Sequence, residues 1–140
     1  MHKYFVSVFV MIFSIFGMNA QELKSPNGNF KMVFSIENDG TPTYQLFMNN
    51  KEIIKKSKLG LDLQKDKKSL LNDFKLVNEV RNTFDETWKP VWGEETAIRN
   101  HYNELAITLK QNETERQVII RFRLFNDGLG FRYEFPQQKN

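Results

Sequence analysis

Cysteine is absent from the 140 residues. That excludes a disulfide framework, a thiolate zinc site and a thiol nucleophile together. Histidine occurs only at His2 and His101, which excludes a multi-histidine metal centre. Seven Gly and four Pro are too few for a fibrous or linker-like chain. No charge of one sign dominates: twenty Lys and Arg stand against seventeen Asp and Glu, a formal net charge of +3. Even the densest basic run, Lys65-Asp66-Lys67-Lys68, is broken by an acid. Nucleic-acid binders gather their cations on one face or in one run, so no nucleic-acid partner is expected. No apolar run reaches the ~20 residues that a membrane-spanning helix needs.

What is present is an ordinary globular composition, 40% hydrophobic and 26% charged, with thirteen Phe. That aromatic load is heavier than a disordered chain carries, and the length allows one domain at most. The first twenty residues read as an address. Lys3 supplies a short positive region, Val6 to Phe16 is apolar except for Ser7 and Ser14, and Ala20 precedes polar Gln21. This is the layout of a secretory signal peptide, departing from it at the bulky Met18. The expectation is cleavage between Ala20 and Gln21, export to the periplasm and no membrane anchor afterwards. Removing 20 of 140 residues leaves 120.

From Gln21 onward the apolar period is two, the mark of half-buried strands. Phe30, Met32, Phe34 and Ile36 alternate with polar or smaller residues. Tyr44, Leu46 and Met48 resume after the turn signal Asn38-Asp39-Gly40, and Asn49-Asn50-Lys51 leads into Glu52-Ile53-Ile54. Leu59, Leu61 and Leu63, then Leu105, Ile107 and Leu109, repeat the pattern. Val118, Ile120, Phe122 and Leu124 precede the hairpin signal Asn126-Asp127-Gly128, and Leu129, Phe131, Tyr133 and Phe135 follow it. Leu70 to Val80 comes nearest to a helical stripe but is too loosely spaced to be assigned one. About eight to ten short strands without helices predict an all-β fold, an antiparallel β-sandwich or barrel. In the last two strands Arg121, Arg123, Arg132 and Glu134 fall on the face opposite the core, as a charged ladder.

Residues 84–102, FDETWKPVWGEETAIRNHY, break the alternation. Both tryptophans, Trp88 and Trp92, lie here with His101, Tyr102 and the carboxylates Asp85, Glu86, Glu94 and Glu95. Pro90 and Gly93 make Trp88 to Glu94 a loop. In one reading these aromatics fill a core. In the other, Trp and Tyr faces stack on sugar rings while Glu94, Arg99 and His101 bond hydroxyls, as ligand sites on loops commonly do. The substrate-binding candidates are therefore Trp88, Trp92, Glu94, Arg99, His101 and Tyr102. A glycosidase needs two carboxylates about 5–5.5 Å or about 6.5–9.5 Å apart. Adjacent Glu94 and Glu95 on a strand point to opposite faces, and no catalytic or metal-binding residue is assigned.

Three stretches are more specific: LKSPNGNFKMVFSIENDGTPTYQLF, TFDETWKPVWGEETAIRNHYNELAITL and IIRFRLFNDGLGFRYEFP. Together they resemble the N-terminal domain of glycoside hydrolase family 97, bacterial α-glucosidases and α-galactosidases, across Gln21 to Gln138. The resemblance implies a galactose-mutarotase-like β-sandwich, incomplete here because the family's sandwich has more strands than 120 residues supply. It implies a following (β/α)8 barrel that carries the catalytic carboxylates and an active-site calcium, with α-linked oligosaccharides as substrates. This chain would then be inactive alone, without a cofactor of its own, and would pack on that barrel. The alternative is a stand-alone carbohydrate-binding or structural envelope module.

Overall fold

A computed structural model describes residues 20–138, and it is built from strands alone. In chain order they are β1 (Gln21–Lys24), β2 (Phe30–Ile36), β3 (Pro42–Met48), β4 (Lys51–Lys58), β5 (Phe74–Trp88), β6 (Ile98–Gln111), β7 (Gln117–Phe125) and β8 (Leu129–Glu134). They form two four-stranded sheets, ordered β1-β2-β3-β4 and β5-β6-β7-β8. Each strand pairs antiparallel with its sequence neighbour within its sheet, so each sheet is a simple meander. The predicted all-β antiparallel sandwich is the observed one.

Short turns of suitable chemistry set the meanders. Asn49 and Asn50 both take positive φ, 49° and 65°. Asn tolerates that region better than most residues, and a two-residue hairpin of this hand matches the twist of its strands. At the β7–β8 turn the Phe125 N–H donates to Gly128 O at 2.8 Å.

The core lies between the sheets. Met32, Phe34 and Leu46 of the first sheet meet Leu105, Ile107, Leu109, Val118, Ile120, Phe122 and Leu124 of the second, all buried. Each such side chain contributes about 1.5–3 kcal/mol by leaving water. The Phe34 and Phe122 rings pack at 6.0 Å, and Tyr44 reaches both Phe122 and Phe131. The inner face of β7 is thus covered by the first sheet. The ladder on the opposite face is observed: Arg121 bonds both Glu134 and Glu104.

Two elements differ from the sequence reading. Leu59 to Leu63 is not a strand. It belongs to the connection between the sheets, where Leu59 and Leu70 are buried and Leu61 makes one isolated bridge to Leu70. Burial of alternate leucines produced a strand-like period without a neighbour to pair with. Conversely, β5 is the longest strand, fifteen residues, and it was not anticipated from Phe74 to Thr83. Its residues from Arg81 to Trp88 are all exposed, so selection for a buried face left no alternation there. A bulge between Leu76 and Asn78 further breaks its period.

The sheets are tied at one corner. The Asp73 N–H donates to Asp39 O at 2.9 Å and the Phe74 N–H to Gly40 O at 3.0 Å. This joins the β2–β3 turn to the start of β5. Gly40 has φ +79°, and a Cβ there would lie 2.4 Å from Phe74 N, so the approach requires glycine.

Candidate functional site

The long hairpin β5–β6 carries every sequence-predicted site residue or leads to it. Its base belongs to the sandwich: Arg81 donates to Glu22 O of β1 at 2.6 Å, and Asn103 donates to Lys24 O at 2.8 Å. Beyond this the hairpin runs clear of the first sheet to a tip at residues 89–97, exposed except for half-buried Pro90. Trp92 is 88% and Val91 93% exposed there, and Trp88, at the end of β5, is 49% exposed. Glu94 is exposed in the same tip.

Strand parity divides the remaining candidates between two faces. Arg99 and His101 share one face with Asp85, which lies opposite His101. Arg99 clamps Asp85 through two bonds of 2.7 Å. These bonds hold the Asp85 carboxyl below the usual carboxylate range, burial opposes them, and the charges of Arg99 and His101 add to them. Arg99 is raised in return, chiefly by the same bonds.

Tyr102 lies on the other face and is 6% exposed. Phe84 stacks on it at 5.3 Å and 20°, Phe125 tilts against it at 5.1 Å, and the Arg123 guanidinium sits 4.6 Å above its ring. Its ring faces are therefore occupied by protein. The six candidates do not converge on one pocket: the tip holds Trp92 and Glu94, one face holds Arg99 and His101, and the other holds Trp88 and Tyr102.

Beneath this second face lies a network absent from the candidate set. Glu104, with its side chain 7% exposed, accepts from Arg121 at 2.6 Å and from Arg123 at 2.8 Å. Burial pushes its pKa up, but the bonds from Arg123 and Arg121 outweigh burial and hold it low overall. Such a carboxylate stays ionised and cannot serve as a general acid. Glu134 is lowered to about 2, first by its bonds from Arg121, against burial, and then by Arg132. The alternation of Arg121 and Arg123 indicated the ladder, whereas Glu104 sits in a segment read only for its leucines.

Two cavities lie beside this network, one at the base of the hairpin and one over β7 and β8. One of about 300 Å³ is lined by Lys24, Arg81, Asn82, Thr83 and Asn103. The other, about 190 Å³, lies among Arg121, Arg123, Phe125, Phe131 and Arg132. None of the six candidates lines either. Among the described residues no group of three or more His, Asp or Glu is placed to hold a metal ion, so calcium is assigned to no side chain here.

The arrangement has known relatives. A retaining alpha-galactosidase of Bacteroides thetaiotaomicron is 29% identical over 112 residues, covering 79% of this chain and 16% of that protein. A glycoside hydrolase family 97 enzyme of Pseudoalteromonas sp., solved in complex with panose, superposes with a TM-score of 0.79 at 31% identity. The match covers 84% of this chain and 18% of that one, and the acarbose complex of a family 97 enzyme from the same strain gives the same values. A beta-arabinopyranosidase at 22% identity and TM-score 0.75 shares the fold. The chain thus spans less than a fifth of the length of these relatives. Residues 23–140 match the family model described as Glycosyl-hydrolase 97 N-terminal, and the chain belongs to that family.

Proposed function

We propose that this chain is the N-terminal β-sandwich region of a secreted, calcium-dependent α-glycosidase. In that reading it packs on the catalytic barrel and the β5–β6 hairpin supplies side chains to one wall of the sugar site. Family membership supports the assignment, as do relatives that are glycoside hydrolases of which it spans 16–18%. The observation that carries the role of the hairpin is its tip. Val91 and Trp92 hold large apolar side chains almost wholly in water, and exposed aromatic anchors of this kind mark a contact surface. Glu104 and Glu134 are committed to arginines, and in this reading hydrolysis belongs to the catalytic barrel. Calcium would likewise be ligated there, and the leader at 1–20, which lies largely outside the described residues, would direct export to the periplasm.

The test is expression of the complete reading frame, with assays on aryl α-glucosides and α-galactosides before and after chelation. Hydrolysis that chelation abolishes and calcium restores is expected, with a Trp92→Ala variant raising KM more than it lowers kcat. A complete polypeptide without a barrel, or without activity on either substrate, would favour the stand-alone module.

A further inference from the structure

We propose that the face of the β5–β6 hairpin carrying Trp88, Glu86 and Asn100 is a binding platform for one pyranose ring of an α-linked oligosaccharide. The proposal rests on the α-glycosidase reading and names the part of the hairpin that meets the sugar. In the ladder, Trp88 lies opposite Ile98, Glu86 opposite Asn100 and Phe84 opposite Tyr102. Residues two apart on a strand point the same way, so these pairs form three successive rungs about 6.6 Å apart on one face.

The rungs differ in what they have left to offer. The Phe84–Tyr102 rung is packed by Phe125 and capped by Arg123, which makes it a rigid floor. The Trp88 indole remains half exposed. A pyranose presents axial C–H groups, and these suit the electron-rich face of an indole. Between floor and indole, the carboxylate of Glu86 and the amide of Asn100 make no side-chain hydrogen bond to any described residue. Arg99 and Asp85, on the opposite face, use their donors and acceptors on each other. A sugar hydroxyl both donates and accepts, so a free carboxylate beside a free amide can bond it in both directions. An aromatic wall with a few unspent polar groups is how small-molecule sites hold and orient a ligand. Among the described residues of the hairpin outside its tip, this rung pair has that composition, and the face of Arg99 and His101 does not.

The test titrates the full chain with panose, reading tryptophan emission and amide chemical shifts. Saturable binding is expected. Trp88→Ala should abolish it, and Glu86→Gln and Asn100→Ala should each weaken it about tenfold, the size of one hydrogen bond to a charged or polar group. His101→Ala should leave it unchanged. Unaltered far-ultraviolet circular dichroism confirms that each variant is folded. Absence of saturable binding at millimolar panose overturns the platform, as does binding that survives Trp88→Ala and disappears with Trp92→Ala. Either result leaves the α-glycosidase reading standing if the complete polypeptide still hydrolyses its substrates.

Discussion

At the scale of single residues, the second sheet is organised by carboxylates whose charge is fixed by arginine. Glu104 is the most buried of them, and two guanidinium groups depend on it. Replacing it with Gln keeps the shape but leaves Arg121 and Arg123 short of an anionic acceptor. Because hydrogen bonds to charged groups contribute about 1.5–3 kcal/mol, Glu104→Gln should destabilise by about 2–3 kcal/mol in urea unfolding. A change within experimental error would show that solvent replaces the carboxylate. Glu134 contributes to the acid limit. Its folded pKa, about 2, lies below the ordinary 4.5, so folding favours the ionised form. The stability it confers is complete above about pH 4.5 and is lost as pH falls toward 2. Thermal melts should therefore hold their midpoint near neutrality and drop through that window. Glu134→Gln should flatten the drop, and an equally steep acid limb in that variant would assign it to other groups.

At the scale of elements, the corner where Gly40 meets Phe74 and the free hairpin tip respond oppositely to substitution. Gly40→Ala forces a Cβ to within 2.4 Å of a backbone nitrogen and strains a positive φ. Strain of this kind costs about 1–3 kcal/mol, and the added clash must be relieved by parting β5 from the turn. A lowered urea midpoint together with faster exchange of the Asp73 and Phe74 amides is expected; unchanged exchange would mean that the corner tolerates the methyl. Trp92→Ala, in a tip that packs on nothing described, should shift stability by no more than about 0.5 kcal/mol. It should also remove the tryptophan emission that acrylamide quenches most readily. The same contrast explains what the sequence could disclose. Strands β2, β3, β7 and β8 were legible because each has one face in the sandwich and one toward water, which imprints a period of two. The outer half of β5 has no buried face, so nothing in its sequence marks it as a strand. Arg99, His101 and Tyr102 were accordingly read as one cluster. Once β6 is known to start at Ile98, parity separates His101 from Tyr102, and the pairing of Trp88 with Ile98 puts Asn100 on the face of Trp88.

At the scale of the whole molecule, the two sheets satisfy one another at the centre and leave their margins unequal. The strand β4 is an edge rich in charge, with Lys51, Lys55, Lys56 and Lys58, the kind of edge that resists pairing with other chains. The strand β8 is an edge of another character. Among the described strands its backbone pairs with β7 alone, and Phe131 is 42% and the following Phe135 55% exposed. The Phe125–Gly128 bond fixes the parity of the ladder: residues 130, 132 and 134 turn their backbone groups toward β7. The N–H and C=O groups of Phe131 and Tyr133 therefore face outward, beside aromatic side chains. An open edge combining unpaired backbone with exposed Phe is a template for association. Self-association of the isolated chain should therefore begin at β8 and not at β4. Phe135→Lys places a charge on that edge without touching the core, because Phe135 is absent from the buried cluster. Sedimentation should show less oligomer, at equal concentration, for Phe135→Lys than for the parent chain, with the urea midpoint moved by no more than about 0.5 kcal/mol. The matching substitution Lys56→Phe on β4 should increase association if edge charge is what protects that side. Equal association of parent and Phe135→Lys would move the contact away from β8, to the hairpin tip that holds Val91 and Trp92.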